Sequence, residues 1–521
     1  MEVILRVAAF LLKCLGFILT PLLGVFNPYK KVQIPHHKNE LLNIPVVELA
    51  QKIRKKEVTS EQVVSAYIER IKEVNPFVNA VVEDRFEAAL EDARRADRLV
   101  ESTSEFLLVT NYPILGIPFT VKESCSLKGM SYSVGSVHRK GMKATEDGET
   151  VALLKSAGGI PLLVSNTPEF CTSWESSNLV TGRTLNPYDT RHSSGGSSGG
   201  EGALVGSGAS LFGIGSDIAG SIRVPALFNG IFGHKPTGGL LSVINHFPYS
   251  MDECFSNYLV VGPMCRYAKD LPTLLHIMAG KKADKLRLNE PLYTKDIKIF
   301  YKTAAGFSLV DIPVQSEIKI AIRNAAEHFR NNGLDVKRAP IGSMQELIEC
   351  GLAQFFTMQD IPLILRDVEN PKKVHNVYLE MLKCSVGQSD YSFAGLFFSA
   401  LYETHGLILK RNIPKYAQRL EKYRQQFLDM LGDDGVFFYP TYPTTAVRHN
   451  DSHLKLSGVS YTMIFNLFGF PSTHVPLGQD RNGLPVGFQI VAAPYHDRLC
   501  LCIAAEIEAA FGGWKPPYET K

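Results

Sequence analysis

The sequence predicts an α/β protein, with a single large domain built on a mixed, mostly parallel twisted sheet covered by helices. An N-terminal hydrophobic anchor helix is predicted to precede it. Three observations lead to this prediction. From residue 112 onward, short apolar runs alternate with loops and helical segments, as in strands joined by crossover helices. No internal repeat or low-complexity segment interrupts the 521 residues. Residues 3–26 form an almost continuous apolar run.

The predicted organisation has three parts: a membrane anchor at residues 1–30, a linker at 31–45 and the main domain at 46–521. A spanning helix needs about 20 apolar residues, and the N-terminal run reaches that length only with Lys13 inside it. The long aliphatic stem of Lys13 lets its charged end extend outward along the helix. We therefore predict a single-pass anchor; a signal peptide and a helix lying on the membrane surface are the alternatives.

The remaining elements follow from hydrophobic periodicity and from helix-capping residues. Amphipathic helices are predicted over 46–74, restarting with Ser60 as N-cap, and over 84–101. Residues 391–409 predict either a core helix or a hydrophobic lip where a lipid-like substrate enters or the protein touches a bilayer. Strands are predicted at 117–121, 160–164, 297–301, 434–440, 472–476 and 487–492, and further helices at 151–156, at 201–212 and from Arg498.

Composition narrows the function. The 55 basic and 52 acidic residues give a net charge of +3 without a basic block, so nucleic acid is not an expected partner. The nine cysteines show no disulfide framework, although a catalytic role for Cys125 or Cys171 stays open. The fourteen histidines include no H-E-x-x-H motif, and we predict neither a metal nor a cofactor.

The chemistry is concentrated in two small-residue stretches, residues 195–200 (GGSSGG) and residues 217–223 (DIAGSIR). Ser221 lies in the second stretch, where small residues leave room for a substrate carbonyl. Consecutive backbone N–H groups there can stabilise an oxyanion, each contributing about 3 kcal/mol. The predicted donors are those of Ile218, Ala219 and Gly220. Asp217 and Arg223 flank the turn and are predicted to pair and hold it.

A base for Ser221 is available without histidine or metal. Lys122 follows the apolar run 117–121, so it can end a strand and point into a cleft. A neutral lysine can accept a proton, and Ser197 can relay that proton from Ser221. The sequence 195–199 also fits G-x-S-x-G, in which Ser197 would be the nucleophile with Asp497 and His496 as partners. Because a loop rather than a strand is predicted before Ser197, that alternative is disfavoured.

These motifs resemble those of the amidase signature family. The resemblance is carried by ILGIPFTVKES, NPYD, GGSSGGEGAL and GIGSDIAGSIRVPALFNGIFGHKPT between residues 114 and 240, and by the later PSTHVPLG and GLPVGFQIVA. The N-terminal segment and the runs GPMCRYAKDL and MLGDDGVFFYP extend it to members that hydrolyse fatty-acid amides. One departure is Ala219, where many members have Gly; its methyl group removes no N–H donor.

The resemblance implies a Ser–Ser–Lys triad on a large sheet enclosed by helices. Ser221 would be the acylated nucleophile, Lys122 the base and Ser197 the bridging residue, preceded by a cis peptide bond at Gly196–Ser197. Ser198 would support the site, and Cys171 would lie where substrate is contacted.

The function expected from all of this is a membrane-anchored serine hydrolase that cleaves fatty-acid amides through an acyl-enzyme. Its partners would be a lipid-like amide and the membrane, with a homodimer as a further expectation. The endoplasmic reticulum or lipid droplets would be its location. The alternatives are a glutaminase subunit of a tRNA-dependent amidotransferase and a catalytically silent membrane-tethered interaction protein.

Overall fold

The strands define the architecture. The computed structural model describes residues 2–25, 27–306, 311–344, 346–366, 370 and 373–519. Within these ranges, eleven strands form one sheet in the order β1-β3-β2-β6-β8-β7-β12-β13-β11-β9-β10, and β4 pairs with β5 separately. The strands are β1 (Val81–Asp84), β2 (Pro118–Lys122), β3 (Ile160–Ser165), β4 (Ser177–Asn178), β5 (Gly182–Arg183), β6 (Phe212–Asp217), β7 (Phe232–Lys235), β8 (Val260–Cys265), β9 (Lys298–Tyr301), β10 (Val336–Arg338), β11 (Gly435–Tyr439), β12 (Ser472–Gln479) and β13 (Pro485–Ala492).

Helices pack around this sheet. In chain order they are α1 (Glu2–Val25), α2 (Val46–Arg54), α3 (Ser60–Val78), α4 (Phe86–Ser102), α5 (Glu105–Asn111), α6 (Glu149–Ser156), α7 (Gly199–Gly206), α8 (Arg223–Phe228), α9 (Phe255–Tyr258), α10 (Leu271–Ala279), α11 (Ser316–Asn331), α12 (Leu347–Phe355), α13 (Val377–Ser385), α14 (Phe393–Glu403), α15 (Ile413–Leu431), α16 (Ser460–Leu467) and α17 (Asp497–Phe511).

The α/β class and the mixed sheet are confirmed, but the prediction of a mostly parallel sheet is wrong. Parallel pairing joins β3 to β2, β2 to β6, β11 to β9 and β9 to β10. The other six neighbouring pairs are antiparallel. The alternation of strands and helices holds around β2, β3 and β6. Later strands follow one another through loops, as in the β12–β13 hairpin, and such connections give antiparallel pairs.

Two predicted helix details are also corrected. The N-cap of α3 is Thr59 rather than Ser60, because the Thr59 and Gln62 side chains form a reciprocal capping box. Ser60 instead begins the helix, and its hydroxyl donates to the Gly116 carbonyl at 3.0 Å. The small-residue helix predicted at 201–212 ends at Gly206, and Phe212 already begins a strand.

The N-terminal apolar run forms α1, but the prediction of a membrane span is not supported. In the described part of the chain, no helix is both long and apolar enough to cross a bilayer. The charged residues Arg6 and Lys13 interrupt the run, and Arg6 pairs with buried Glu349 at 2.8 Å. Thr20 donates to Asp451 at 2.7 Å, so α1 lies against the main domain.

The segment predicted as a linker, residues 31–45, is likewise packed against the main domain. Ile34 and Leu42 are buried, the Val32 N–H donates to Thr190 Oγ1 at 3.0 Å, and Arg70 donates to the Pro35 carbonyl at 2.7 Å. The segment between α1 and α2 is therefore a packed part of the main domain rather than a free linker.

The sheet positions the predicted site. Strands β2 and β6 are parallel neighbours, with Val121 opposite Ile214. Lys122 ends β2 and Asp217 ends β6, so the two carboxyl ends meet at one edge of the sheet. Ligand sites of α/β proteins commonly lie at such an edge.

Candidate active site

Lys122 and Ser197 are in direct contact. Lys122 is fully buried, and its Nζ donates to Ser197 Oγ at 2.6 Å and to Ser216 Oγ at 2.9 Å. Ser197 lies just before α7, which places its hydroxyl over the end of β2. The Gly196–Ser197 peptide bond is cis, as the family resemblance implies.

Close backbone packing explains the glycines beside Ser197. A Cβ at Gly196 would lie 2.6 Å from the Ser173 carbonyl oxygen, and one at Gly200 would lie 2.5 Å from the Asn166 backbone nitrogen. Real Cβ atoms do not approach other heavy atoms this closely, so a larger residue would displace the loop. The loop therefore needs its small residues to bring Ser197 to the lysine.

The turn that carries Ser221 is held by one carboxylate. Asp217 accepts hydrogen bonds from the backbone N–H groups of Gly220 at 2.7 Å and Ile222 at 3.1 Å. Its two oxygens also accept from Arg223, from Nε at 3.0 Å and from Nη2 at 3.1 Å. All of these groups are buried, and a bidentate Arg–carboxylate pair fixes orientation as well as charge.

The ionised state of Asp217 follows from these contacts. Burial alone raises the pKa of this carboxyl, but the charge and hydrogen bonds of Arg223 outweigh burial and hold the pKa well below its usual range. The Arg223 guanidinium also donates hydrogen bonds to Gln489 at 2.8 Å and to Asn466 at 2.6 Å. The turn is thus fixed by a buried polar network that reaches α16 and β13.

The same network decides which backbone donors remain for an oxyanion. The N–H of Gly220 was predicted as a donor, but it is occupied by Asp217. Within the described residues, the N–H groups of Ile218, Ala219 and Ser221 have no hydrogen-bond partner. The Ala219 carbonyl points the other way and accepts from Thr462 Oγ1 at 3.0 Å. Three donors near one serine can stabilise a tetrahedral oxyanion.

Ser221 lies between two cavities. Its side chain lines an apolar cavity of about 260 Å³ and a smaller one of about 70 Å³. Cys171 and Ile218 line both, whereas Ser197 lines only the smaller. Ser197 and Ser221 both line the smaller cavity, but within the described part of the chain Ser221 Oγ makes no hydrogen bond, so the structure forms the Lys122–Ser197 contact of the predicted relay and not the Ser197–Ser221 contact.

The larger cavity is walled mainly by apolar side chains from helices. Helix α14, which covers most of the 391–409 segment, turns one face to this cavity while Leu396 packs into the core and Phe393 is half exposed. The segment is therefore both a core helix and a cavity wall. The helical lining residues are Ala9, Leu12 and Lys13 of α1, Ile348, Leu352 and Phe355 of α12, Ala394, Phe397, Phe398 and Leu401 of α14, and Met463 of α16.

Two neighbours of Lys122 were missed by the sequence reasoning. Ser216 immediately precedes the recognised turn, so its place in the motif was a usable signal. His246 lies in a distant loop, and its Nε2 contacts Ser216 Oγ at 2.9 Å while its Nδ1 contacts the Pro248 carbonyl at 2.9 Å. Only the fold brings this imidazole to the lysine.

The hydrogen-bond directions around His246 follow from these partners. Burial, and then the neighbouring Lys122, lower the pKa of His246 to about 3, so the ring is neutral near neutral pH. The Pro248 carbonyl only accepts, so Nδ1 carries the proton and Nε2 accepts from the Ser216 hydroxyl. The Ser216 oxygen is then free to accept from Lys122. The chain of bonds orients the lysine amine.

Glu201 is a third group without a predicted role, although it lies in the recognised GGEGAL run. Thr120 Oγ1 donates to its carboxyl at 2.5 Å. Burial raises the pKa of Glu201 to about 7, against the opposing influence of its hydroxyl partners and Lys122. Glu201 lies on α7, four residues after Ser197, so a carboxyl with a raised pKa is close in sequence to the predicted relay.

The structure also bears on the alternatives left open by the sequence. Burial raises the pKa of the Cys125 thiol to about 12, which disfavours a thiolate nucleophile. Asp497 contacts His234 and Thr237 rather than Ser197. Ser198 joins the site through the backbone of β6, since its hydroxyl donates to the Ser216 carbonyl at 3.3 Å.

Comparison with known proteins identifies the family of this chain. The family model described as Amidase matches residues 62–501. Fatty-acid amide hydrolase 2-B of Danio rerio is 41% identical over 498 residues, covering 93% of this chain and 92% of the relative. Fatty-acid amide hydrolase 2 of Homo sapiens is 37% identical over 527 residues, covering 98% of each. A solved structure titled "Fatty acid amide hydrolase" has a TM-score of 0.72 at 22% identity, covering 91% of this chain and 86% of that one.

The chain therefore belongs to the amidase family, and it is an amide-cleaving hydrolase. The resemblance read from its motifs is confirmed, including its extension to fatty-acid amide hydrolases. The solved structure, at its lower identity, adds agreement on the fold: a large mixed sheet covered by helices.

Proposed function

We propose that this chain hydrolyses fatty-acid amides, both primary amides and N-acylethanolamines, with Lys122, Ser197 and Ser221 as its catalytic residues. The observation that supports this most directly is the 2.6 Å contact between Lys122 Nζ and Ser197 Oγ beside Ser221. The apolar cavity of about 260 Å³ that opens at Ser221 fits a hydrocarbon chain rather than a polar amino acid.

In the first half of the reaction, the unprotonated Lys122 amine takes the Ser197 proton while Ser197 takes the proton of Ser221. Ser221 Oγ then bonds to the amide carbon, and the carbonyl electron pair moves to oxygen. The N–H groups of Ile218, Ala219 and Ser221 donate to that oxyanion. Ser216 and His246 orient the amine of the base throughout.

In the second half, the proton held by Lys122 returns through Ser197 to the amide nitrogen. Protonation is needed because an amide anion is a poor leaving group. The C–N bond breaks, the amine departs, and the acyl chain remains bonded to Ser221. Water then gives one proton to the same relay and bonds to the acyl carbon. The bond between that carbon and Ser221 Oγ breaks, the relay returns the proton to Ser221 Oγ, and the fatty acid leaves.

We assign the acyl chain to the larger cavity and the amine to the smaller one. The larger cavity is walled mainly by hydrocarbon side chains, which favour transfer of an acyl chain from water. The smaller cavity contains Ser197, Ser216 and His246, so a polar leaving group would find hydrogen-bond partners there.

The test combines covalent labelling with a substrate panel. A fluorophosphonate probe should modify Ser221, and mass spectrometry of the digest identifies the adduct. Oleamide and N-oleoylethanolamine should be hydrolysed by the wild type and not by Ser221→Ala. Labelling at another residue contradicts the assigned roles, preferential turnover of glutamine favours the glutaminase alternative, and equal turnover by the wild type and Ser221→Ala favours a catalytically silent protein.

We further propose that the protein binds the membrane surface through the outer face of α1. Large apolar side chains on that face are exposed, with Phe17 at 72%, Ile18 at 65% and Leu11 at 59%. Such a face favours a helix lying in the lipid interface. Cosedimentation with phosphatidylcholine vesicles should fall for the double variant Phe17→Glu/Ile18→Glu; unchanged binding contradicts the proposal.

The homodimer and the location at the endoplasmic reticulum or lipid droplets stay predictions.

A further inference from the structure

Helix α1 faces in two directions. Its outer side exposes apolar residues, whereas its inner side lines the cavity that contains Ser221. Ala9, Leu12 and Lys13 contribute to the cavity wall. These positions are three and four residues apart and lie on one helical face. The N-terminal helix is thus a structural part of the cavity as well as a candidate membrane contact.

Specific contacts hold this inner face against the main domain. Arg6 Nε donates to Glu349 Oε1 at 2.8 Å, and Glu349 lies on α12, which also lines the cavity. Two turns beyond the lining residues, Thr20 Oγ1 donates to Asp451 Oδ1 at 2.7 Å. Asp451 begins the segment Asp451–Val459, whose side chains form the adjoining wall. The lining residues therefore lie between two polar contacts.

Packing between these contacts is close. At Gly16 a Cβ would lie 3.7 Å from Leu454 Cβ, which is ordinary van der Waals contact. Leu454 lines the same cavity as Leu12. The helix therefore lies within van der Waals distance of this wall, and the side chains before Gly16 reach the cavity.

From this arrangement we propose that Ala9 and Leu12 contact the acyl chain of the substrate and help to set chain-length selectivity. The proposal rests on the proposed function, since it assigns the acyl chain to the larger cavity. It gives α1 a second role beyond membrane contact. Substitutions on its inner face should change which amides are cleaved, while those on its outer face should not.

The first test compares matched tryptophan variants of two leucines in the full chain. Leu12→Trp places bulk in the cavity, whereas Leu107→Trp places it on the exposed face of α5, away from the cavity. We expect Leu12→Trp to lower kcat/KM for oleamide at least about tenfold and to leave kcat/KM for hexanamide within about twofold, since a filled pocket rejects the larger substrate. Leu107→Trp should change neither. Equal effects of the two variants, or equal losses on both amides, would overturn the proposal.

The second test needs no turnover. An oleamide analogue with a diazirine at the chain end is irradiated with the Ser221→Ala protein, and the tryptic peptide of residues 7–13 is examined for adducts. An adduct on that peptide supports the proposal, and adducts confined to other peptides overturn it. If the wild type hydrolyses neither amide but this peptide is labelled, the proposed function fails and the cavity assignment stands.

Discussion

The two sides of the substrate cavity are built by different means. On one side, the turn at residues 217–223 is held by a buried polar network in which Asp217 and Arg223 satisfy one another and the surrounding backbone. On the other, α1, α12 and α14 supply mainly apolar side chains that meet through packing. Hydrogen bonds fix atoms at definite positions, whereas apolar packing tolerates adjustment. From this difference we expect the polar side to control the rate of bond cleavage and the apolar side to control which substrates are accepted.

The sharpest way to break this comparison is to remove the amine of Lys122, the proposed base. Lys122→Met keeps a side chain of similar length but no amine, so the proton of Ser197 has no acceptor. Amide turnover should fall at least about 10⁴-fold, as measured with oleamide. Lys155→Met, which changes an exposed lysine paired with Asp147, is the control and should retain turnover. Near-normal turnover of Lys122→Met would remove the lysine from the mechanism.

The second prediction concerns the contribution of the turn at residues 217–223 to the unfolding free energy. Asp217→Asn leaves the Arg223 guanidinium buried without its counter-charge, and breaking such a pair costs about 3–5 kcal/mol of unfolding free energy. Urea denaturation measures the loss. Lys52→Ala breaks the exposed pair with Glu57 and should produce no measurable change. A similar small effect for both variants would mean that the turn does not depend on its ion pair.

The third prediction concerns how the unfolding free energy depends on pH through the ionisation of Glu201. Burial raises the pKa of this carboxyl to about 7 in the folded chain, from an ordinary value of 4.5. The folded state therefore holds the proton more tightly, and its contribution to stability is complete below pH 4.5 and lost as pH rises to about 7.

The full contribution is on the order of 3 kcal/mol. Glu201→Gln cannot ionise, so the fall in unfolding free energy between these pH values should be reduced by that amount. Chemical denaturation at several pH values measures this. Parallel curves for wild type and variant would contradict the raised pKa.

Replacing His246 tests whether the imidazole orients Lys122 on the polar side of the cavity. His246→Phe keeps a ring but deprives the Ser216 hydroxyl of its acceptor, so Lys122 is less well oriented. We expect kcat to fall about tenfold, with the preference for oleamide over hexanamide unchanged. His246→Gln, which offers an amide oxygen as acceptor, should restore part of the loss. A changed chain-length preference would place His246 in substrate selection instead.

The smallest effect should come from the apolar side. Arg6→Met removes the contact between the half-exposed Arg6 of α1 and the buried Glu349 of α12, so α1 is held less firmly against the cavity wall. The KM for oleamide should rise about threefold with kcat unchanged. Steady-state kinetics over a range of oleamide concentrations measures both. A fall in kcat with constant KM would mean that α1 acts on the polar side as well.

Local sequence patterns predicted several elements of the fold and the loops of the candidate site. The apolar run before Lys122 forms β2, and the capping residues near position 60 correctly indicate the start of α3 within one residue. The Gly–Ser stretches place Ser197 and Ser221 in loops because small residues there permit close approach. The hydrogen bond that occupies Gly220 was not predictable, since nothing in the run DIAGSIR tells which N–H the carboxylate will take.

The sequence by itself determined the α/β class, the family and the three residues proposed for catalysis, because short motifs encode local geometry and chemistry directly. Only the tertiary structure decided the balance of parallel and antiparallel pairs, the place of His246 beside Lys122 and the position of α1 in the cavity wall. These features depend on contacts between residues far apart along the chain. Such contacts are selected by packing and buried hydrogen bonds of the whole chain, which no local periodicity records.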